Sequence, residues 1–576
     1  MVAVTPTPAI KTVPKPRDQH LRDMADCIRF LSMDAVQQAK SGHPGAPMGM
    51  ADIATVLYMD FMRFDAADPH WFDRDRFLLS NGHGSMLLYS LLYLTGVKDM
   101  TLDELKRFRQ INSKTAGHPE YKHADGIETT TGPLGPGVAN AVGFALAERI
   151  LNARFGNELC KHWTYVFMGD GCLMVSARRQ SPWRATSSSA TSSRSGITTR
   201  SRSTARPAAR SPTTRSSAFA RPAPATLRSE FERRNDRELP VDWKKAIAAA
   251  RTEFIASGKD MATRSASGAV LDHLAAAIPE LLGGSADLTP SNNTKAKGMT
   301  EIKPGEYDGT YMHYGVREHG MAAAMNGSAL YGGLIPYGGT FLCFSDYCRP
   351  SIRLAALMQV RTIFVMTHDS IGLGEDGPTH QPVEQLAALR AIPHLAVYRP
   401  GDPVETAECC EQILKTSRQA ALIALSRQPM PLLRREPGNE NKSAKGGYML
   451  LEAEDGEREL TILSTGSELH LAVEARDILQ KQGIPTTVVS MPCRLLFEAQ
   501  DAAYKKAVLG TARARVAVEA AVEMGWERYI GLEGRFVGMH DFGASGKIAD
   551  VYKKFDINAD AVVRAARQTL AEVAAH

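Results

Sequence analysis

Residues 163–171 read WTYVFMGDG. Trp163 to Met168 is a short apolar run rich in aromatic and β-branched side chains, and it stops at Gly169, Asp170 and Gly171. A run of that kind bounded by glycine predicts a buried strand that delivers a loop. The pattern recurs: Arg361 to Met366 ends at His368, and Ala421 to Leu425 ends at Ser426 and Arg427. Leu460 to Leu463 and Thr486 to Ser490 alternate with helical stretches such as Leu469 to Gln482. Strands alternating with helices predict an α/β architecture with parallel sheets. Ligands of open α/β sheets bind beyond the carboxyl ends of the strands, which is where Asp170, His368 and Arg427 fall.

The 576 residues are 44% hydrophobic and 23% charged, enough apolar material for several cores, at roughly one domain per 150 residues. No stretch approaches the length of apolar sequence that a membrane-spanning helix needs, and the opening MVAVTPTPAIKTVPKPRDQH places prolines where a signal peptide has its apolar run. Neither export nor membrane insertion is expected. The eight cysteines show no C-x-x-C spacing and two of them, Cys409 and Cys410, are adjacent. That suits reduced thiols in a cytoplasm better than a disulfide framework or a zinc site. Near the start, Ile28, Leu31 and Ala35 follow helical spacing up to SGHPGAP, so Ser41 to Pro47 reads as a loop after a helix.

The net charge of +5 has a local source. Ser176 to Arg228 contains 13 Ser, 11 Arg, 10 Ala, 8 Thr and 5 Pro with no Asp, Glu or Lys, so the other 523 residues carry a net −6. With Ile197 and Leu227 as its only aliphatic residues beyond alanine, this segment cannot bury enough surface to offset chain entropy and is expected to be disordered. An arginine-rich nucleic-acid segment is one reading of it. A shifted reading frame in a GC-rich gene is the preferred one, because the pattern breaks off abruptly just after Gly-Asp-Gly.

Glycine, histidine and carboxylate concentrate in SGHPGAP with His43, SNGHGS with His83, GHPE and GIETTTGPLGPG with His118, and THDSIGLGEDGPTHQP with His368, Asp376 and His380. Glycines let a backbone approach a ligand, and histidines bond to hydroxyls or phosphates. Any one of these histidines alone reads better as a satisfied structural residue; so many in glycine-rich loops of one chain favour a site. GPLGPG is a poor dinucleotide fingerprint, since it follows the polar IETTT and contains Pro133 and Pro136. Gly-Asp-Gly offers a hard cation a carboxylate and an unobstructed backbone. Phe341, Phe344 and Tyr347, at i, i+3 and i+6, predict one face of a helix, ordinarily core. Glu318, in HYGVREHGM, has mixed neighbours and reads as a helix-end or surface carboxylate.

Taken together, SMDAVQQAKSGHPGAPMGMADIA, LSNGHGSML, ETTTGPLGPGVANAVG, VFMGDGC, GGSADLTPSN, HYGVREHGM, THDSIGLGEDGPTHQPVEQ and ALSRQ closely resemble transketolases, in that family's order, over about 20–174 and from about 230 onward. The resemblance implies a three-domain thiamine-diphosphate enzyme fold of the α/β class, with the first domain truncated here. The expected parts are a tail at 1–19, an incomplete diphosphate-binding domain at 20–175, the Ser/Arg segment at 176–228 and a remnant at 229–258. A pyrimidine-binding domain at 259–433, a linker at 434–445 and a C-terminal domain at 446–576 follow.

The family moves a two-carbon ketol unit from a ketose phosphate to an aldose phosphate, in the pentose phosphate pathway or the Calvin cycle, with thiamine diphosphate and Mg2+ or Ca2+. By similarity Asp170 ligates the cation, and His83, Gly132, Pro133, Leu134, Gly171 and Asp287 line the cofactor. Phe341, Phe344 and Tyr347 form the pocket for its aminopyrimidine ring. Glu318 matches the carboxylate that donates a hydrogen bond to that ring, so burial is expected to raise its pKa. His368 and His380 are the candidates for proton transfer. These two, with His43, His118 and Asp376, match positions that meet sugar hydroxyls, and Arg264, Ser291 and Arg427 match phosphate-binding positions.

A homodimer, sugar-phosphate substrates, a cytoplasmic location and neither membrane nor nucleic acid as partner complete the expectation. The alternatives are a related enzyme such as a dihydroxyacetone synthase, or a nucleic-acid-binding protein acting through the arginine segment. One departure matters. The family supplies its second cation ligand from an Asn downstream of Gly-Asp-Gly, whereas Ser176 to Arg228 holds neither Asn nor His and only 93 residues separate Asp170 from Arg264. A lone Asp leaves a cation under-coordinated, which implies a weak or inactive enzyme.

Overall fold

The computed structural model describes residues 17–179, 224–436, 438 and 440–575. These form two compact units, one of residues 17–137 and 162–172, the other of 138–161, 173–179 and everything from 224 onward. The first unit has a two-stranded parallel sheet of β1 (Arg76–Leu79) and β2 (Thr164–Phe167), in register from Arg76 opposite Thr164 to Leu79 opposite Phe167. Its core gathers Ile28, Ala54, Leu87, Tyr89 and Phe108 from the surrounding helices with Phe77 and Phe167 from the strands. The loop predicted after the second strand is short, because a helix, Asp170–Arg179, begins at the aspartate itself.

The second unit contains two larger sheets. β3 (Leu281–Ser285), β4 (Tyr311–His313), β5 (Ile335–Phe341), β6 (Ile363–Thr367), β7 (Leu395–Tyr398) and β8 (Ala420–Leu425) form a six-stranded sheet in the order β4-β3-β5-β6-β8-β7, and every pairing is parallel. Almost every position of these strands is buried, the continuous apolar pattern of a parallel sheet covered on both faces. β9 (Tyr448–Leu451), β10 (Leu460–Ser464), β11 (Thr486–Ser490), β12 (Ala514–Val518) and β13 (Arg535–Val537) form a five-stranded sheet in the order β9-β11-β10-β12-β13, parallel except for β9. The predicted alternation of strand and helix therefore holds in this unit. Among the described residues no helix is long and apolar enough to cross a membrane.

Four expectations need correction or restriction. Most of the Ser/Arg segment, 180–223, and residues 1–16 lie outside the described residues. Arg17 to Gln19, expected in a tail, belong to the helix Arg17–Ala39. Ala225 to Arg228, expected without order, open the helix Ala225–Asn235, which is anchored by buried Phe231 and by Arg233 pairing with Glu230 and Glu280. Phe341, Phe344 and Tyr347 do not share a helix: Phe341 ends β5, Phe344 lies in a single 3-10 turn, and only Tyr347 lies in the helix Ser345–Met358. Period-three spacing across a strand end and a turn mimics a helix face, so spacing alone misassigned the element.

Two features fix the second unit. The helices Pro136–Phe155 and Glu318–Tyr331 approach so closely that a Cβ built on Gly143 would lie 2.1 Å from the Ala324 carbonyl oxygen, and one on Gly327 2.1 Å from that of Asn140. The second feature is Arg399, which has no solvent exposure. Its guanidinium meets Asp369 at 2.9 Å, Glu468 at 2.7 Å and Glu519 at 3.0 Å, tying β6 and β7 to the five-stranded sheet. Arg390 adds two 2.8 Å bonds to Glu519, and Arg494 lies 4.0 Å over the Trp526 ring.

Replacing Gly327 with alanine is expected to cost about 1–3 kcal/mol by overpacking, because the methyl group meets backbone. Arg399→Met leaves buried carboxylates without their cation and should cost about 3–5 kcal/mol. Both are measured as shifts of the guanidinium denaturation midpoint, and wild-type midpoints in both variants would contradict this account of the packing.

Candidate active site

In the first unit, Asp170 is exposed at the head of its helix, and its Oδ1 accepts the Gly171 N–H at 2.8 Å. Gly171 packs on the Gly-Pro-Leu segment: a Cβ there would lie 2.9 Å from Leu134 Cδ1. Gly132 has φ +143°, and a side chain on it would run into the His118 ring at 3.0 Å, so the sequence needs glycine there on both counts. Pro133 between them is exposed. The His43 and His83 rings meet edge-on with centroids 5.3 Å apart. Burial, with the nearby charge of His43, holds His83 below its ordinary range. Burial and the charge of Arg109 do the same to His118. This unit thus brings His43 to His83, Gly132 to His118 and Gly171 to Leu134, with the His83 and His118 imidazoles held toward their neutral forms. Arg109 has no sequence signal, and only the fold brings it to His118.

In the second unit the candidates cluster at the carboxyl ends of β5, β6 and β8. Phe341 and Phe344 stack with centroids 5.6 Å apart and planes 11° apart. The His368 ring lies 3.7 Å from that of Phe341, and His380 approaches Phe344 at 5.2 Å. Tyr347 extends the row at 5.9 Å from Phe344 but is 60% exposed. His368 sits just past β6 with φ +62°, a conformation unusual for a residue with a side chain and often found at functional sites. Burial and the charges of Arg264, Arg427 and His380 push it down to about 3, so its imidazole is neutral. His380 bonds through Nδ1 to Thr379 Oγ1 at 2.8 Å, and Asp376 lies exposed in the loop before it.

Local hydrogen bonds explain why the two arginines meet. Thr263 N–H donates to Ser426 Oγ at 3.0 Å and Ser426 N–H to Thr263 Oγ1 at 2.7 Å, which knits the start of the helix Thr263–Ala277 to the end of β8. Arg264 and Arg427 follow directly. Arg264 Nη1 donates to the Ser291 carbonyl at 2.8 Å, and burial together with the charge of Arg427 weakens its hold on a proton. Asp287 stands exposed after β3 with φ +65°.

Glu318, which the sequence read as an ordinary helix-end or surface carboxylate, does begin the helix Glu318–Tyr331, but it is only 8% exposed. Burial pushes its carboxyl above the ordinary value, opposed by a bond to its own backbone. Its charge contributes, after burial and Asp346, to pushing the Cys343 thiol up to about 12, so the carboxyl lies within electrostatic reach of the segment that carries the stacked rings. A carboxyl held toward its neutral form within electrostatic reach of the segment that carries two parallel aromatic faces fits a heteroaromatic ring with a nitrogen acceptor. The same fit does not extend to a divalent cation. Asp170 offers one carboxylate, no group of three metal-ligating side chains occurs among the described residues, and Leu173 to Arg228 contains no Asn, Asp, Glu, His or Cys.

The transketolase thiamine diphosphate binding domain matches residues 20–185, the transketolase pyrimidine binding domain 259–431, and a transketolase-like C-terminal domain 446–558. The transketolase of Cereibacter sphaeroides is 45% identical over 650 aligned positions, covering 95% of this chain and 98% of the relative; that of Sinorhizobium medicae is 45% identical over 653, covering 95% and 94%. Both alignments are longer than the 576 residues here, so part of each relative has no counterpart in this chain. A transketolase structure from Leishmania mexicana superposes with a TM-score of 0.80 at 34% identity, covering 96% of this chain and 97% of that one. A Pichia stipitis transketolase in complex with sedoheptulose 7-phosphate gives 0.82 at 33%, covering 96% and 98%. These relatives favour neither a dihydroxyacetone synthase nor a nucleic-acid-binding protein. The three domain matches, in order and at this identity, make the chain a member of the transketolase family.

Proposed function

We propose that this chain transfers a two-carbon ketol unit between sugar phosphates, with its pyrimidine-side machinery complete and its diphosphate anchoring weakened. The observation that carries the proposal is Glu318, a buried carboxyl held toward its neutral form within electrostatic reach of Cys343, in the segment between the stacked Phe341 and Phe344. Thiamine diphosphate bound there supplies the electron sink that cleavage next to a carbonyl requires. Glu318 holds a proton and donates it in a hydrogen bond to the aminopyrimidine ring, while Phe341, Phe344 and Tyr347 orient that ring and exclude water. His83, Gly132, Pro133, Leu134, Gly171 and Asp287 line the rest of the cofactor.

His380 and His368 handle protons of the substrate, and His43, His118 and Asp376 bind its hydroxyls. Arg264 and Arg427, two cations whose mutual repulsion an oxyanion relieves, take the phosphate with Ser291. That the Pichia relative is a complex with sedoheptulose 7-phosphate supports a sugar phosphate as substrate. A homodimer is proposed from the family, and a cytoplasmic location from the eight cysteines, none of which forms a disulfide. The pentose phosphate pathway or Calvin cycle is the corresponding metabolic place. Magnesium or calcium finds one side-chain ligand, Asp170, and so holds the diphosphate poorly.

Ketol transfer is expected only at cofactor concentrations well above those that saturate a complete transketolase. Titrating thiamine diphosphate and magnesium while following transfer from a ketose phosphate tests both halves: tight uptake would refute the weakened anchoring, and no transfer at any concentration would refute the activity. Glu318→Gln should lower the rate by at least about a hundredfold, since a positioned acid or base contributes factors of that order.

The same substitution should also stabilise the fold. The native carboxyl keeps its proton to higher pH than the unfolded one, so the wild type loses stability as pH rises above the ordinary value of 4.5 toward the raised one. The glutamine variant should therefore outlast the wild type at pH 7 and lose that advantage on acidification below the ordinary value. Equal denaturation midpoints at both pH values would show that the carboxyl is not strained by burial.

A further inference from the structure

The neutral His368 ring has two possible tautomers, and a buried chain of hydrogen bonds selects between them. Its Nδ1 lies 2.8 Å from Thr367 Oγ1. Thr367 Oγ1 lies 2.7 Å from Asn292 Oδ1, Asn292 Nδ2 lies 3.2 Å from Ser285 Oγ, and Ser285 Oγ lies 3.2 Å from the Gly339 carbonyl oxygen. Ser285, Asn292 and Thr367 have no solvent exposure, so no water competes for these groups.

The direction of every bond follows from the end of the chain. A carbonyl oxygen only accepts, so the single Ser285 hydroxyl proton is committed to Gly339. Ser285 Oγ then accepts, from Asn292 Nδ2–H and also from the Leu288 N–H at 3.1 Å. With its amide nitrogen turned to Ser285, Asn292 presents Oδ1 to Thr367, which must spend its one proton there. Thr367 Oγ1 is left as an acceptor, and the group facing it, His368 Nδ1, must donate. The packing leaves little room for another arrangement: a Cβ on Gly339 would lie 2.9 Å from Asn292 Nδ2, and the Phe341 ring at 3.7 Å covers the imidazole.

We propose that Ser285, Asn292 and Thr367 are positioning residues that commit His368 to the Nδ1–H tautomer, leaving Nε2 as a hydrogen-bond acceptor. The proposal rests on the reading of His368 as a substrate-facing residue, and it states what the ring presents there: Nε2 as a hydrogen-bond acceptor, not as a donor. A hydrogen bond to one ring nitrogen that fixes the state of the other is a general device. Ser285 and Asn292 stand in GGSADLTPSN, and Thr367 ends β6, so two distant segments meet to set one proton.

Long-range 1H–15N correlation spectra of the full chain with 15N-labelled histidine read the tautomer directly, with the His368 signal assigned by its loss in His368→Gln. The wild type and Thr367→Ser should show protonated Nδ1 and unprotonated Nε2. Thr367→Val, which keeps shape and strand propensity but removes the acceptor, should shift the ring to a mixture or to the Nε2–H form. A wild-type ring protonated at Nε2, or a valine variant with the wild-type tautomer, would overturn the proposal, and the wild-type spectrum decides alone should the valine variant not fold. These readouts need neither cofactor nor turnover. A confirmed tautomer in a chain without ketol transfer would defeat the functional reading and leave the hydrogen-bond chain standing.

Discussion

A guanidinium sealed from water is stable only if carboxylates surround it, and Arg399 has three: Asp369, Glu468 and Glu519. Desolvating four charges is costly, and each is tolerable only because the others are in place. The surrounding acids push Arg399 further toward its charged form, and the surrounding arginines hold Glu519 far below the carboxylate range. Asp369 immediately follows His368 in the chain. The interaction that joins the two sheets therefore also pins the segment that holds a candidate catalytic imidazole in a left-handed backbone conformation. Strain at that residue persists because its neighbour is over-determined.

The same logic separates the two groups of site residues. Around Glu318, Phe341 and His368, burial pushes the carboxyl and the imidazole toward their neutral forms, which suits groups that donate or accept single hydrogen bonds. Around Asp170 the requirement is opposite. A divalent cation bridging a diphosphate needs several hard ligands converging on one point, and this chain offers an exposed carboxylate at the head of a helix. Aromatic and imidazole walls tolerate the loss of a neighbour better than a coordination sphere does, since stacking depends on area and coordination on count.

Much of this was legible beforehand. Apolar runs ending at His368 and at Ser426 marked strands of a parallel sheet, and the glycine-rich motifs identified the family before any coordinate was considered. The aromatic triad was legible in composition and misleading in geometry, because a strand end followed by a 3-10 turn repeats a side-chain direction at the spacing of a helix. Glu318 carried no signal of burial in its own neighbours, which are mixed in HYGVREHGM; only the family resemblance implied it. Arg109 and the chain through Thr367, Asn292 and Ser285 were equally silent.

By itself the sequence determined the α/β class, the order of the domains, the list of chemically able residues and the break in pattern after Asp170, because periodicity, glycine placement and composition are local properties. The tertiary structure alone decided which of those residues are buried, which protonation state each prefers, and which nitrogen of His368 faces its partner. Those properties depend on dielectric surroundings and on donors and acceptors brought together from segments tens of residues apart, such as Asn292 and Thr367.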